Sequence, residues 1–192
     1  MSTFLTIRVI LCVIVALALP LIILKTNIRK NKWYIILTLV LAVAFCAMHF
    51  VYPLENVIYG FETPQEAMDY YNGSEVIASL DQEQSCLVVL KDGDGVKHEF
   101  IPYSSGGYQL PTVFFTSKAT SGTVEGGSYE IVYISSFYEF YLMVNTTLTG
   151  EVTGPEGLVT VTVGDTTYIY VPLASLTDPC TLTVGGTELV IQ

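Results

Sequence analysis

The sequence predicts two N-terminal transmembrane helices followed by a mainly-β, antiparallel, sandwich-like domain that opens with one short helix. Three observations carry this. Two apolar runs of membrane-spanning length lie within the first 52 residues, a helix-start motif stands at Thr63-Pro64-Gln65-Glu66, and from Glu75 onward alternating apolar and polar runs are separated by turn residues. The 192 residues are 51% hydrophobic with a mean hydropathy of +0.53, too apolar for an ordinary soluble domain.

Phe4 to Leu24 is a run of 21 residues in which Arg8 is the only charge, and Trp33 to Tyr52 is a run of 20 with none. At about 1.5 Å per residue, each crosses a hydrocarbon core of ~30 Å. The connector carries Lys25, Arg29, Lys30 and Lys32, and short basic loops stay on the cytoplasmic side. The expected anchor is therefore residues 1–52, with spans 4–24 and 33–52, a cytoplasmic loop 25–32, and the N-terminus and everything after Tyr52 outside the cell membrane. Trp33, Tyr34 and Tyr52 read as interfacial anchors, as does His49, and Arg8 lies close enough to the outer surface to snorkel. A cleaved signal peptide is the rival reading of the first run, because Ala16-Leu17-Ala18 resembles a cleavage site. The apolar continuation to Leu24 and the position of the basic cluster argue against it. Pro20 withdraws a backbone donor and predicts a kink, while Cys12 and Cys46 read as small apolar residues.

Residues 53–61 form a juxtamembrane linker and 62–192 the extracytoplasmic domain, read as one unit with a seam near 145–150 left open. In the opening helix Thr63 caps, Pro64 takes the first helical position, Glu66 can reach back to the cap amide, and Asn72-Gly73 supplies the stop. Strands are expected at 75–80, 85–91, 96–101, 112–116, 128–134, 137–144, 148–153, 158–163, 166–171, 180–184 and 187–191. Asp92-Gly93-Asp94-Gly95 between two of them reads as a hairpin turn. No connection is long enough for a crossover helix, which excludes parallel βαβ architecture.

Phe61-Glu62-Thr63-Pro64-Gln65-Glu66-Ala67 opens a helix with the pattern Phe-x-[Ser/Thr]-Pro-[Glu/Gln]-Glu-Ala. A strand Ser85-Cys86-Leu87-Val88-Val89-Leu90, a Gly-Asp-Gly turn, Gly106-Gly107-Tyr108 and a terminal Leu182-Thr183-Val184-Gly185-Gly186 follow. Over residues 61–192 this resembles small membrane-anchored or exported proteins of Gram-positive bacteria. The resemblance implies an extracytoplasmic location and carries no reaction, cofactor or site residue.

Charge is divided along the chain. Residues 1–52 carry five basic residues and no acid, whereas 53–192 set three lysines against 18 acids, leaving −15. Nucleic acid is excluded as a partner, since phosphate affinity needs clustered Lys and Arg. The domain has one histidine, His98, in phase with Val96 and Phe100 on a strand, so a half-buried structural role is expected. Cys86, Cys180 and His98 lack metal-ligand spacing, and Asp92-Gly93-Asp94-Gly95 lacks the later ligands of a calcium loop. No catalytic residue, cofactor or metal is therefore expected.

Two features remain. In Phe137–Val144 one strand face holds Tyr138, Phe140, Leu142 and Val144 and should be core. The other holds Phe137, Glu139, Tyr141 and Met143 and should lie nearer solvent, making Phe137, Glu139 and Tyr141 the candidate partner patch. Cys86 and Cys180, the two cysteines of the outer domain, are candidates for a disulfide. The functional expectation is a non-enzymatic binding or interaction module of the cell envelope, held in the lipid bilayer by two helices and engaging an envelope or membrane protein. Its alternatives are a small accessory subunit of a membrane complex and an envelope hydrolase using carboxylates.

Overall fold

Apolar side chains around the whole circumference, rather than along one stripe, distinguish the first two helices. These are α1 (Thr3–Lys25) and α2 (Lys32–Val51), both long and apolar enough to cross a membrane. The computed structural model describes residues 2–26, 32–58, 60–104, 106–112, 115–135, 139–175 and 179–191, and the side chains of all these except 115–119. Ser2 caps α1 by accepting the Leu5 amide at 3.3 Å, and the helix continues through Pro20. The two helices pack against each other with Cys12 and Cys46 facing across the contact.

A single turn, α3 (Glu55–Ile58), follows, then α4 (Pro64–Tyr71). Thr63 Oγ1 accepts the Glu66 amide at 3.2 Å as the motif predicts. The Glu66 carboxylate, however, accepts the amide of Glu62 at 3.0 Å, one residue before the expected cap amide.

The rest is a stack of three antiparallel sheets. The first contains β1 (Val76–Asp81), β2 (Ser85–Asp92), β3 (Gly95–Ser104) and β4 (Gly107–Tyr108) in sequential order. The middle sheet is built from β5 (Phe115–Val124), β6 (Gly127–Ser135), β7 (Phe140–Thr146), β9 (Val159–Val163) and β10 (Thr166–Leu173), ordered β5-β6-β7-β10-β9. The third is β12 (Thr187–Ile191), β11 (Cys180–Val184) and β8 (Val152–Thr153). The Asp-Gly-Asp-Gly turn closes the β2–β3 hairpin with Asp92 opposite Gly95, and Gly93 takes the positive φ that the turn needs.

Side-chain parity explains the layering. Along β2, Cys86, Val88 and Leu90 pack under Ala67 and Met68 of α4, while Leu87 and Val89 face the middle sheet. Along β7, Tyr141 and Met143 face back toward the first sheet, and Leu142 and Val144 face the third. β10 repeats this with Tyr168 and Tyr170 on one side and Ile169 and Val171 on the other. The strand expected to have one wet face is thus a central strand covered on both sides. Tyr141 is 3% exposed and Met143 fully buried.

Other expectations shift at their edges. β5 extends to Val124, well past the run 112–116, and Leu148–Thr153 contributes only the two-residue β8. β4 pairs Tyr103 with Tyr108, and a bridge from Tyr108 to Phe61 ties the linker to the sheet edge. A side chain on Gly107 would meet the Phe61 carbonyl oxygen, which accounts for glycine in Gly106-Gly107-Tyr108.

The candidate disulfide is not formed. Cys86 lies between α4 and the first sheet and Cys180 between the middle and third sheets, so two layers of strands separate the thiols and both are free and buried. Burial raises both thiol pKa values, Cys86 further through its bond with Asp81. Intact mass should therefore be unchanged by reduction, and Cys86 should react with an alkylating reagent only after unfolding; rapid labelling of Cys86 in the native chain would contradict this packing.

Candidate functional site

Arg8 is the only charge on the apolar stretch of α1, and it does not snorkel to water: 2% of it is exposed. Its Nε donates to the His49 carbonyl at 3.1 Å, one of the carbonyls that the end of α2 leaves without a helical partner. Its Nη1 and Nη2 fork onto the two carboxylate oxygens of Glu55, which α3 delivers to the buried junction. The Tyr70 hydroxyl donates to Glu55 Oε1 at 2.6 Å, and the guanidinium lies 3.8 Å from the centroid of the Phe4 ring. Phe4 in turn meets Tyr71 edge-to-face with centroids 5.0 Å apart, so α1 and α4 are in contact.

The Arg8 guanidinium, and next the Tyr70 hydroxyl, hold the Glu55 carboxyl well below its ordinary value, at about 2, against the opposing effect of burial. Beside it the Asn56 side chain donates to the Leu110 carbonyl at 2.9 Å and accepts the Leu110 amide at 2.7 Å. Linker, N-terminal helices and β stack thus converge on two adjacent residues. His49, expected as an interfacial anchor, is buried at this junction with its ring against Phe45.

The second constellation is an open cleft of about 350 Å³ at one end of the middle sheet. Gln82 and Glu83 come from the β1–β2 turn, Glu139 and Phe140 from the start of β7, and Pro172 and Leu173 from the end of β10. Gln82 braces it by donating to the carbonyls of Gly157 at 2.8 Å and Tyr170 at 3.3 Å. Burial, then the charge of Glu83, raises the Glu139 pKa.

Of the candidate patch, Glu139 therefore lines a cleft, while Phe137 lies outside the described residues. Tyr141 belongs to the core: although it borders the cleft, it is 3% exposed and stacks on Tyr170, with centroids 5.1 Å apart. An exposed aromatic surface through Tyr141 is corrected by the sheet that covers it. His98 is half-buried beside Phe100, and burial lowers its pKa. Asp92 and Asp94 flank an exposed turn, and among the described residues no three His, Cys, Asp or Glu side chains group to hold a metal ion.

Sequence reasoning missed Glu55, Asn56, Tyr70 and Glu83. The available signal was Arg8 itself, since a lone charge in an apolar helix calls for a partner and Glu55 is the first carboxylate after the two apolar runs. No family model, curated protein or solved structure matches the chain.

Proposed function

We propose that the chain is a membrane-anchored extracytoplasmic interaction module. In this reading α1 and α2 cross the bilayer outside–inside–outside, and the β stack presents the Glu83–Glu139 cleft to an envelope or membrane protein partner. The observation that carries it is the Arg8–Glu55–Tyr70 junction, which fastens the domain to the first helix. A cleaved leader would take Arg8 away and leave Glu55 without its cation, so the junction favours retention of α1. The basic connector favours a cytoplasmic loop, and the resemblance to exported Gram-positive proteins favours an outer domain.

A second reading has an observation of its own. Cys12, Ala16, Ala42 and Cys46 line an apolar groove of about 240 Å³ between the helices, which suits the packing of a further helix and hence an accessory subunit. Site-specific photo-crosslinking in intact cells separates the two. A module that binds through its cleft gives one discrete adduct from a photoreactive residue at Leu173 and none from Asp94 on the β2–β3 turn. Adducts from Ala16 alone would establish the accessory-subunit reading. External protease on protoplasts should cut residues 62–192, and their complete protection would sink the topology.

A further inference from the structure

The single turn α3 divides its residues between two environments. Glu55 and Asn56 are held inward by Arg8, Tyr70 and Leu110. Leu54, just before the turn, and Val57 and Ile58 within it are spaced as one helical face and are 50%, 84% and 77% exposed. Among the described residues of the β stack, the exposed large aliphatics are Ile77, Val96 and Val190, on three separate strands. Three large aliphatics grouped at one turn are therefore distinctive.

The height of α3 is fixed by its own bonds. Glu55 grips Arg8, five residues into α1, whose Nε reaches His49 in the last turn of α2. That places α3 alongside the outer turns of both helices, at the level of the Phe4 ring over which the guanidinium lies. Those same turns carry Leu5, Val9 and Phe50 with exposed side chains. Val57 and Ile58 thus continue the apolar surface of the outer turns, the layer in which interfacial apolar side chains insert at the headgroup–acyl boundary.

We infer that Leu54, Val57 and Ile58 insert into the outer leaflet as an interfacial wedge, so that the base of the β domain binds lipid directly. This rests on the reading of α1 and α2 as bilayer spans. The wedge also accounts for the buried ion pair beside it, because a carboxylate carried into that layer needs a cation at the same depth, and Arg8 supplies one.

Depth-dependent fluorescence quenching of the full chain tests this. Trp33 is the single tryptophan, so Val57→Trp in a Trp33→Phe background gives one emitter. The protein is reconstituted into phosphatidylcholine–phosphatidylglycerol vesicles brominated either near the glycerol or near the chain ends. Val43→Trp in mid-α2 and Val190→Trp in the third sheet, made in the same background, are the references. Position 57 should lose most of its emission to the shallow bromines, position 43 to the deep ones, and position 190 to neither. Quenching at 43 with none at 57, or equal shallow quenching at 57 and 190, would overturn the wedge while leaving the spans intact. No quenching at 43 would overturn the spanning reading and the wedge with it.

Discussion

Arg8→Ala should lower the stability of the full chain by about 3–5 kcal/mol, because it leaves the Glu55 carboxylate buried without its cation. The measurement is the unfolding midpoint in lipid nanodiscs, with protease sensitivity of the 52–63 segment as a local readout. Replacing both Arg8 and Glu55 by methionine should recover most of the loss, since the penalty belongs to the unpaired charge rather than to the missing pair. A loss below about 1 kcal/mol for Arg8→Ala would mean that the pair is hydrated and not structural.

The pH dependence has a definite sign. The Glu55 pKa is depressed to about 2 from an ordinary value of 4.5, so its contribution is complete above the ordinary value and is lost as pH falls toward 2. Glu55→Gln should remove that part of the acid transition and leave the rest of the titration unchanged.

Tyr141→Ala should cost about 3–5 kcal/mol, a full aromatic truncation between two sheets, with loss of its stacking on Tyr170. Val190→Ser, on an exposed edge position, should change stability by no more than about 0.5 kcal/mol. Comparable midpoints for these two variants would restore an exposed surface at Tyr141 and undo the layered core.

The placement of helices and hairpins was legible because it rests on local chemistry. Thr63-Pro64 starts α4, Gly93-Asp94 turns β2 into β3, and the Val159–Val163 alternation marks β9. The number of layers was not legible from alternation alone. Cys86–Leu90 is continuously apolar because both its faces are covered, and that run was the clue to reading Tyr141 as covered too. The later part of β5 escaped because an edge strand pairs on one side only, and Lys118–Thr123 has little apolar content to reveal it. Glu83 and Glu139 share a cleft only through the stacking of two sheets, which no local pattern records.

The fastening of the juxtamembrane segment sets how the domain can move. A free chain of the 12 residues from Tyr52 to Thr63 would behave as slack, letting its cargo wander about 20 Å. Glu55, Asn56 and Phe61 are each pinned, which removes that slack. The β stack is consequently a stiff outrigger of α1 rather than a float on a line. If α1 and α2 cross a bilayer as proposed, the cleft keeps one altitude and one heading relative to it, and its local concentration is spent on partners that arrive at that altitude. Any tilt or rotation of α1 swings the cleft with it, so the same linkage that restricts the search also makes the helix a lever.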